Sequence, residues 1–143
     1  MVVVDASVVV AGLLEPRGPA AAAMAAGGEL AAPELLDLEV VQEVRGRVAA
    51  SKLREAEGRQ VIQRLRQLGI RLHGHRSMLD RIWELRHNLT AYDASYAALA
   101  ERLEVALVTA DRGLAACPRL HCEVKFITAG ERQRPPDPRL RPS

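Results

Sequence analysis

The sequence is poor in aromatic residues, in cysteine and in long apolar runs, and each shortage excludes a class of protein. Phe, Trp and Tyr make up only 3% of 143 residues against 48% hydrophobic residues in all, so Ala, Val and Leu must build the core. Two cysteines are too few for a disulfide framework. No apolar stretch approaches the roughly 18 residues of a membrane span, and the apolar start has no basic leader. We therefore expect a cytoplasmic protein without a membrane segment.

Charge is distributed unevenly along a chain whose net charge is only +2. Residues 1–44 carry seven acids and one arginine, whereas residues 45–86 carry eleven Lys/Arg and four acids. The basic segment fits either the solvated faces of helices or a surface that meets phosphate groups. Residues 131–143 are rich in Pro and Arg and lack apolar periodicity. We predict a disordered tail there, after a single domain over residues 1–130.

Strand-like and helix-like patterns alternate along the chain. Apolar runs at 1–5, 29–33, 70–73, 105–109 and 124–128 predict five strands. Apolar residues at helical spacing predict helices over 35–50, around 61–68, over 79–89 and after Thr90, with Ser7 capping a helix behind the first strand and Pro33 starting another. Strands separated by helices pair in parallel, so the predicted fold is α/β, with about five parallel strands and helices on both faces.

Asp5 needs an explanation, because it ends a strand of valines where an unpaired carboxylate costs several kcal/mol. Asp111 follows the strand at 105–109 by two residues, so both acids emerge at the edge of a parallel sheet where ligands bind. Asp93 lies in the first turn of the helix after Thr90, and Glu39 lies near the start of the helix over 35–50. We predict that these four acids converge on one pocket.

Three of these acids also have a structural explanation. Thr90 and Asp93 resemble a capping box with Asp in place of Glu or Gln, and an acid there is favoured by the helix dipole. Asp111 can start a short helix or a turn, and Glu39 can face solvent. The sequence leaves both explanations open for each residue, but the set of four is harder to dismiss than its members.

Four converging carboxylates repel one another and would take up protons at neutral pH unless a cation were present. Oxygen ligands select Mg²⁺, or Mn²⁺, over zinc. A bound divalent ion lowers the pKa of its water, orients a phosphate and stabilises developing charge on oxygen. The predicted chemistry is therefore phosphodiester hydrolysis.

Four segments, VVVDAS, PELLDLEV, LTAYDASYAALAE and LVTADRGLA, together resemble the PIN-domain nucleases, most closely the VapC toxins of bacterial toxin–antitoxin pairs. The resemblance covers about residues 1–128. It implies a Mg²⁺-dependent endoribonuclease whose catalytic and metal-binding acids are Asp5, Glu39, Asp93 and Asp111. It also implies an RNA substrate, inhibition by a cognate VapB-type antitoxin, a homodimer and a heterooligomer with the antitoxin.

The resemblance assigns further residues around the acids. Thr109, and Ser7 with it, would donate hydrogen bonds to them. Many members carry another acid shortly after the last one, but Leu114, Ala115 and Ala116 stand here, which is a departure at the second metal position. RNA phosphates would be met by Arg86 and Arg112, with few aromatic rings for base stacking. The alternative is a catalytically silent PIN-like module that binds RNA or a protein.

Overall fold

A five-stranded parallel sheet forms the centre of the protein. The computed structural model describes residues 1–128, so the predicted tail at 131–143 lies outside the described residues. The strands are β1 (Val2–Val4), β2 (Leu30–Pro33), β3 (Arg71–His73), β4 (Ala106–Thr109) and β5 (Val124–Phe126). Their order in the sheet is β3-β2-β1-β4-β5, and every neighbouring pair is parallel. This confirms the predicted α/β class.

Within residues 1–128, seven α-helices connect the strands. They are α1 (Ala6–Leu14), α2 (Pro19–Ala26), α3 (Leu36–Ala49), α4 (Glu55–Gln67), α5 (Leu79–Glu84), α6 (Ala91–Leu103) and α7 (Arg112–Ala115). One group is built around α1, which packs against α2, α3 and α4, and a second around α6, which packs against α5, β1, β2 and β4. Parallel crossovers are right-handed, so the reversal of direction between β3 and β4 brings helices to the other face of the sheet.

The central strand β1 carries the chain into the candidate site. Val2, Val3 and Val4 are all buried, and β1 lies between β2 and β4, where the order of the strands changes direction. Crevices in open α/β sheets form beyond the carboxyl ends of the strands at such a switch point. Asp5, the residue after β1, therefore emerges where a site is expected.

Two local predictions are wrong. The N-cap of α1 is Asp5, whose side chain accepts a hydrogen bond from the Val8 amide; Ser7 does not cap this helix, because Asp is an equally good N-cap and stands at the correct position. Pro33 ends β2 and does not start a helix. The Glu34 amide donates to His73 O on β3. The preceding residue, Pro33, faces the opposite neighbour β1, whose pairing with β2 ends at Ala31. Its missing amide proton therefore costs no hydrogen bond in the sheet.

The helix predicted over 79–89 is shorter than expected. A 3₁₀ turn at Arg76–Met78 precedes α5, which ends at Glu84. The Leu85 and Arg86 amides bond three residues back, to Ile82 O and Trp83 O, which tightens the chain before α6 begins. Ile82 and Leu85 are buried as predicted. Among the helices of residues 1–128, none has the length and apolarity to cross a membrane.

Candidate functional site

The carboxylate of Asp5 is held by three donors at the end of β1. Its Oδ1 accepts from the Ser7 hydroxyl at 2.6 Å and from the Val8 amide at 3.1 Å, while its Oδ2 accepts from the Thr109 hydroxyl. Asp5 is only 5% exposed and Thr109 is fully buried. These bonds, two of them from the Ser7 and Thr109 hydroxyls, supply the partners that a buried carboxylate requires.

The same two hydroxyls tie Asp5 to the segment that carries Asp111. The Ser7 hydroxyl accepts from the Ala110 amide at 3.0 Å, and the Thr109 hydroxyl accepts from the Asp111 amide at 2.9 Å. Each hydroxyl therefore donates to Asp5 and accepts from the chain after β4. The ends of β1 and β4 are fixed to each other, and with them the first and last acids of the set.

Helix N-termini surround these acids. Asp5 and Asp111 are the N-caps of α1 and α7, while Asp93 and Glu39 lie in the first turns of α6 and α3. Thr90, the N-cap of α6, accepts from the Asp93 amide at 3.2 Å. The N-terminal end of a helix carries partial positive charge that favours a carboxylate. An acid can therefore stabilise the start of a helix and also belong to a shared site, because these helices begin at the same edge of the sheet.

Electrostatic repulsion links the four acids to one another. Burial raises the pKa of Asp5, and Asp111 raises it further. Burial raises the pKa of Asp93, with added repulsion from Asp111 and Asp5. Burial also raises the pKa of Glu39, to which Asp93 and Asp5 add. These carboxyls are within electrostatic range of one another, and we refer to Asp5, Glu39, Asp93 and Asp111 together as the acidic pocket.

The donor set of the acidic pocket fits a hydrated divalent cation. Its side-chain ligands are carboxylate oxygens, which suit Mg²⁺ or Mn²⁺, and a cation would offset their repulsion. Within residues 1–128, no three acidic, His or Cys side chains stand close enough together to ligate one ion directly. Mg²⁺ commonly keeps several waters and takes one or two carboxylates, so water-mediated contacts suit this arrangement.

Two polar residues beside the acidic pocket were not predicted from the sequence. The Tyr96 hydroxyl donates to Glu39 Oε1 at 2.6 Å. Glu43 pairs with Arg47 at 3.2 Å, and its pKa is raised by burial and, to a smaller extent, by Asp5. A helical signal existed for both, since Tyr96 lies three residues after Asp93 and Glu43 lies four after Glu39. Leu114, in the segment where many family members carry a further acid, is buried in the core.

Aromatic rings accompany both arginines that were predicted to meet RNA. The Arg86 guanidinium lies 4.4 Å from the centroid of the Trp83 ring, and that of Arg112 lies 5.9 Å from the centroid of Phe126. Trp83, Phe126 and Tyr92 are all exposed. Base-stacking surfaces are therefore less scarce than the low aromatic content indicates, because only Tyr96 among the four aromatic residues is buried.

The raised pKa values predict how the metal-free protein responds to pH. Asp5, Glu39 and Asp93 keep their protons above the ordinary carboxyl pKa of about 4. The folded state then binds more protons than the unfolded chain, so the free energy of unfolding falls as pH rises through the raised values. In EDTA, we expect the melting temperature to fall as the pH rises from the ordinary carboxyl pKa of about 4 through the raised pKa values. Saturating Mg²⁺ should flatten this dependence, and a melting temperature in EDTA that rises over the range would contradict the electrostatics.

Comparison with known proteins places the chain in a family. The PIN domain model matches residues 2–120. Ribonuclease VapC9 of Mycobacterium tuberculosis is 41% identical over 127 residues, covering 89% of this chain and 98% of the relative. Ribonuclease VapC1 of the same organism is 40% identical over 131 residues, covering 87% and 96%. The chain therefore belongs to the PIN-domain family, and the predicted resemblance to the VapC group is confirmed.

A solved structure agrees with the fold. The crystal structure of PAE2754 from Pyrobaculum aerophilum matches with a TM-score of 0.66 over 86% of this chain and 81% of that one, at 23% sequence identity. At this level of identity the match supports the α/β architecture alone. Evidence on activity comes from the acidic pocket and from the closer relatives.

Proposed function

We propose that the protein is a metal-dependent endoribonuclease that hydrolyses RNA phosphodiester bonds at the acidic pocket, as the toxin of a toxin–antitoxin pair. The observation that supports the proposal is that four acids lie at the N-termini of four different helices around a parallel sheet whose strand order reverses direction, and that their carboxyls repel one another. The relatives named as VapC ribonucleases support the reaction class. Because RNA is an intracellular substrate, the proposal places the protein in the cytoplasm.

Each acid has a role in the proposed reaction. Asp5, Asp93 and Asp111 would together hold one Mg²⁺, or Mn²⁺, with at least one of these contacts made through water, and Glu39 would help to bind the metal or position the water that attacks phosphorus. The bound ion supplies a water of lowered pKa and positive charge for the phosphate oxygens. Asp5 is buried and held by the Ser7 and Thr109 hydroxyls, whereas Asp111 is exposed to solvent and its Oδ1 accepts from the Leu114 amide at 3.0 Å.

Arginine and aromatic side chains would contact the RNA. Arg112 follows Asp111 directly, so its charge stands next to the carboxylate that faces solvent. Arg86 lies on the turn after α5 and stacks on Trp83. Guanidinium groups bind phosphates and also stack on bases. These pairs favour a single-stranded segment of RNA whose backbone and bases are both within reach.

A groove between α3 and α4 is the place we propose for the antitoxin. It encloses about 650 Å³. Its walls and rim include Val41, Val48, Ile62, Arg45, Arg59 and Arg66. Apolar walls with a basic rim suit an amphipathic helix that carries acidic residues beside its apolar face. The homodimer and the complex with antitoxin implied by the family resemblance belong to the same proposal.

Cleavage of RNA in the presence and absence of metal tests the function. The full chain, freed of any partner, is incubated with total cellular RNA in Mg²⁺, in Mn²⁺ or in EDTA, and the cleaved ends are mapped. We expect discrete cleavage sites with either metal and none in EDTA. Mapping also identifies the class of RNA.

Two outcomes would reject the proposal. Cleavage that persists in EDTA would point to chemistry that does not use the acidic pocket or to a contaminating enzyme. RNA binding without cleavage in any metal would favour the catalytically silent module, because the fold and the basic surface would then serve binding alone.

A further inference from the structure

Tyr96 is the buried aromatic residue that contacts an acid of the pocket. It is 1% exposed, although the other tyrosine of the same helix, Tyr92, is 65% exposed. Its hydroxyl lies 2.6 Å from Glu39 Oε1, across 57 residues of sequence. A tyrosine buried for packing alone needs only some hydrogen-bond partner. Here the partner is a carboxylate proposed for catalysis, so the contact also affects how that carboxylate is oriented.

The contact determines which Glu39 oxygen remains available. The Tyr96 hydroxyl is a phenol with an ordinary pKa of about 10, so it is protonated at neutral pH and donates to Glu39 Oε1. Oε1 accepts this short hydrogen bond, which is charge-assisted. Oε2 is then the oxygen left for water or metal. The bond also restricts a flexible side chain whose ordering costs conformational entropy.

The contact also opposes a repulsive force. Glu39 is half-buried, and its interactions with Asp93 and Asp5 are repulsive. A glutamate in that position would gain by turning towards solvent, away from the other acids. Tyr96 lies three residues after Asp93 on α6, so both point from the same side of one helix. The helix that supplies Asp93 therefore also holds Glu39 near it.

We propose that Tyr96 is a positioning residue, which fixes Glu39 through Oε1 so that Oε2 faces the site of Asp93 and the cation. The inference rests on the proposed function, because it assigns a role within that same pocket. It adds a specific contact between α3 and α6 that orients the acid in α3. Tyr96 itself does not touch substrate or metal.

The matched pair Tyr96→Phe and Tyr92→Phe tests this role. Both changes remove one hydroxyl from the same helix, but only the first removes a donor to Glu39. For Tyr96→Phe we expect Mn²⁺ binding, measured by calorimetry, to weaken about tenfold, the size of one hydrogen bond to a charged group. The kcat for RNA cleavage should fall by a similar factor, while KM for RNA stays the same. Tyr92→Phe should match the wild type in Mn²⁺ affinity.

A double-mutant cycle separates positioning from packing. In the Glu39→Gln background, Tyr96→Phe should weaken Mn²⁺ binding no further, because the carboxylate that it positions is gone. An equal loss in both backgrounds would show a purely structural role and overturn the inference, as would unchanged Mn²⁺ affinity in Tyr96→Phe. Glu39→Asp serves as a second variant, since its shorter side chain withdraws the carboxylate from the hydroxyl and should reproduce the weaker binding.

The calorimetric readout keeps the two proposals distinguishable. If the wild type binds Mn²⁺ with the expected pattern across the cycle but cleaves no RNA, the positioning role stands and the nuclease function fails. If the wild type cleaves RNA and the cycle is additive, the function stands and the role of Tyr96 fails. Thermal melting in EDTA confirms that each variant is folded before either measurement is read.

Discussion

Asp93→Asn should lower RNA cleavage by on the order of 100- to 1000-fold, the usual cost of removing one preorganised charged group from an active site. The change keeps the size of the side chain, and the Asp93 amide still donates to Thr90, so the start of α6 is preserved. What is lost is one negative charge that faces Asp5 and Asp111. Initial rates on a defined RNA cleavage site, measured at saturating Mg²⁺, give the ratio.

The stability of the same variant distinguishes a catalytic effect from misfolding. Removing one of several mutually repelling carboxylates should leave the melting temperature in EDTA unchanged or higher. Asp80→Asn is a matched control, because Asp80 is an exposed acid in the first turn of α5. It should cleave at the wild-type rate. Wild-type cleavage by Asp93→Asn itself would mean that another site, or another protein, cuts the RNA.

Asp5→Ala and Asp5→Asn should both lose cleavage by a similarly large factor, yet differ in stability. Asparagine keeps an oxygen that can cap α1 by accepting from the Val8 amide, and its amide group can donate to Thr109. Alanine removes the cap and leaves the hydroxyls of Thr109 and Ser7 without their acceptor. A lost N-cap costs about 1 kcal/mol and a buried unpaired polar group about 1–3 kcal/mol.

Urea unfolding in EDTA measures this difference. We expect the alanine variant to be less stable than the asparagine variant by about 1–3 kcal/mol, with the same slope against urea. Comparing the two variants with each other removes the contribution of the carboxylate charge, because neither carries it. Equal stabilities would show that the bonds around Asp5 do not stabilise the fold, and Asp5 would then be held in place for function alone.

Much of the fold follows from local pattern. The valine strand before Asp5 and the run before Thr109 are too apolar for any position but the centre of a sheet, and the structure buries all of β1 and most of β4. The alternation of strand and helix then leaves a parallel sheet as the simplest arrangement. In a parallel sheet the carboxyl ends of β1 and β4 lie at the same edge, so Asp5 and Asp111 were expected to emerge there together.

Tertiary contacts account for what the sequence did not reveal. The bond between Tyr96 and Glu39 depends on how α6 lies relative to α3, which no spacing along the chain specifies. The choice of Asp5 over Ser7 as the cap of α1 depends on where β1 ends, because both residue types suit that position. Pro33 was assigned to a helix because its lack of an amide proton is harmless there, and it is equally harmless at the end of β2.

The hydrogen bond from Thr109 to Asp5 closes a loop of more than one hundred residues, since its partners are 104 positions apart. Contacts between such distant parts of a chain form late, after shorter-range structure has made the closure less costly. During synthesis, the first acid waits at the end of β1 until β4 has been made and has paired beside it. The acidic pocket that we propose for catalysis therefore cannot assemble before β4 and Asp111 have been synthesised.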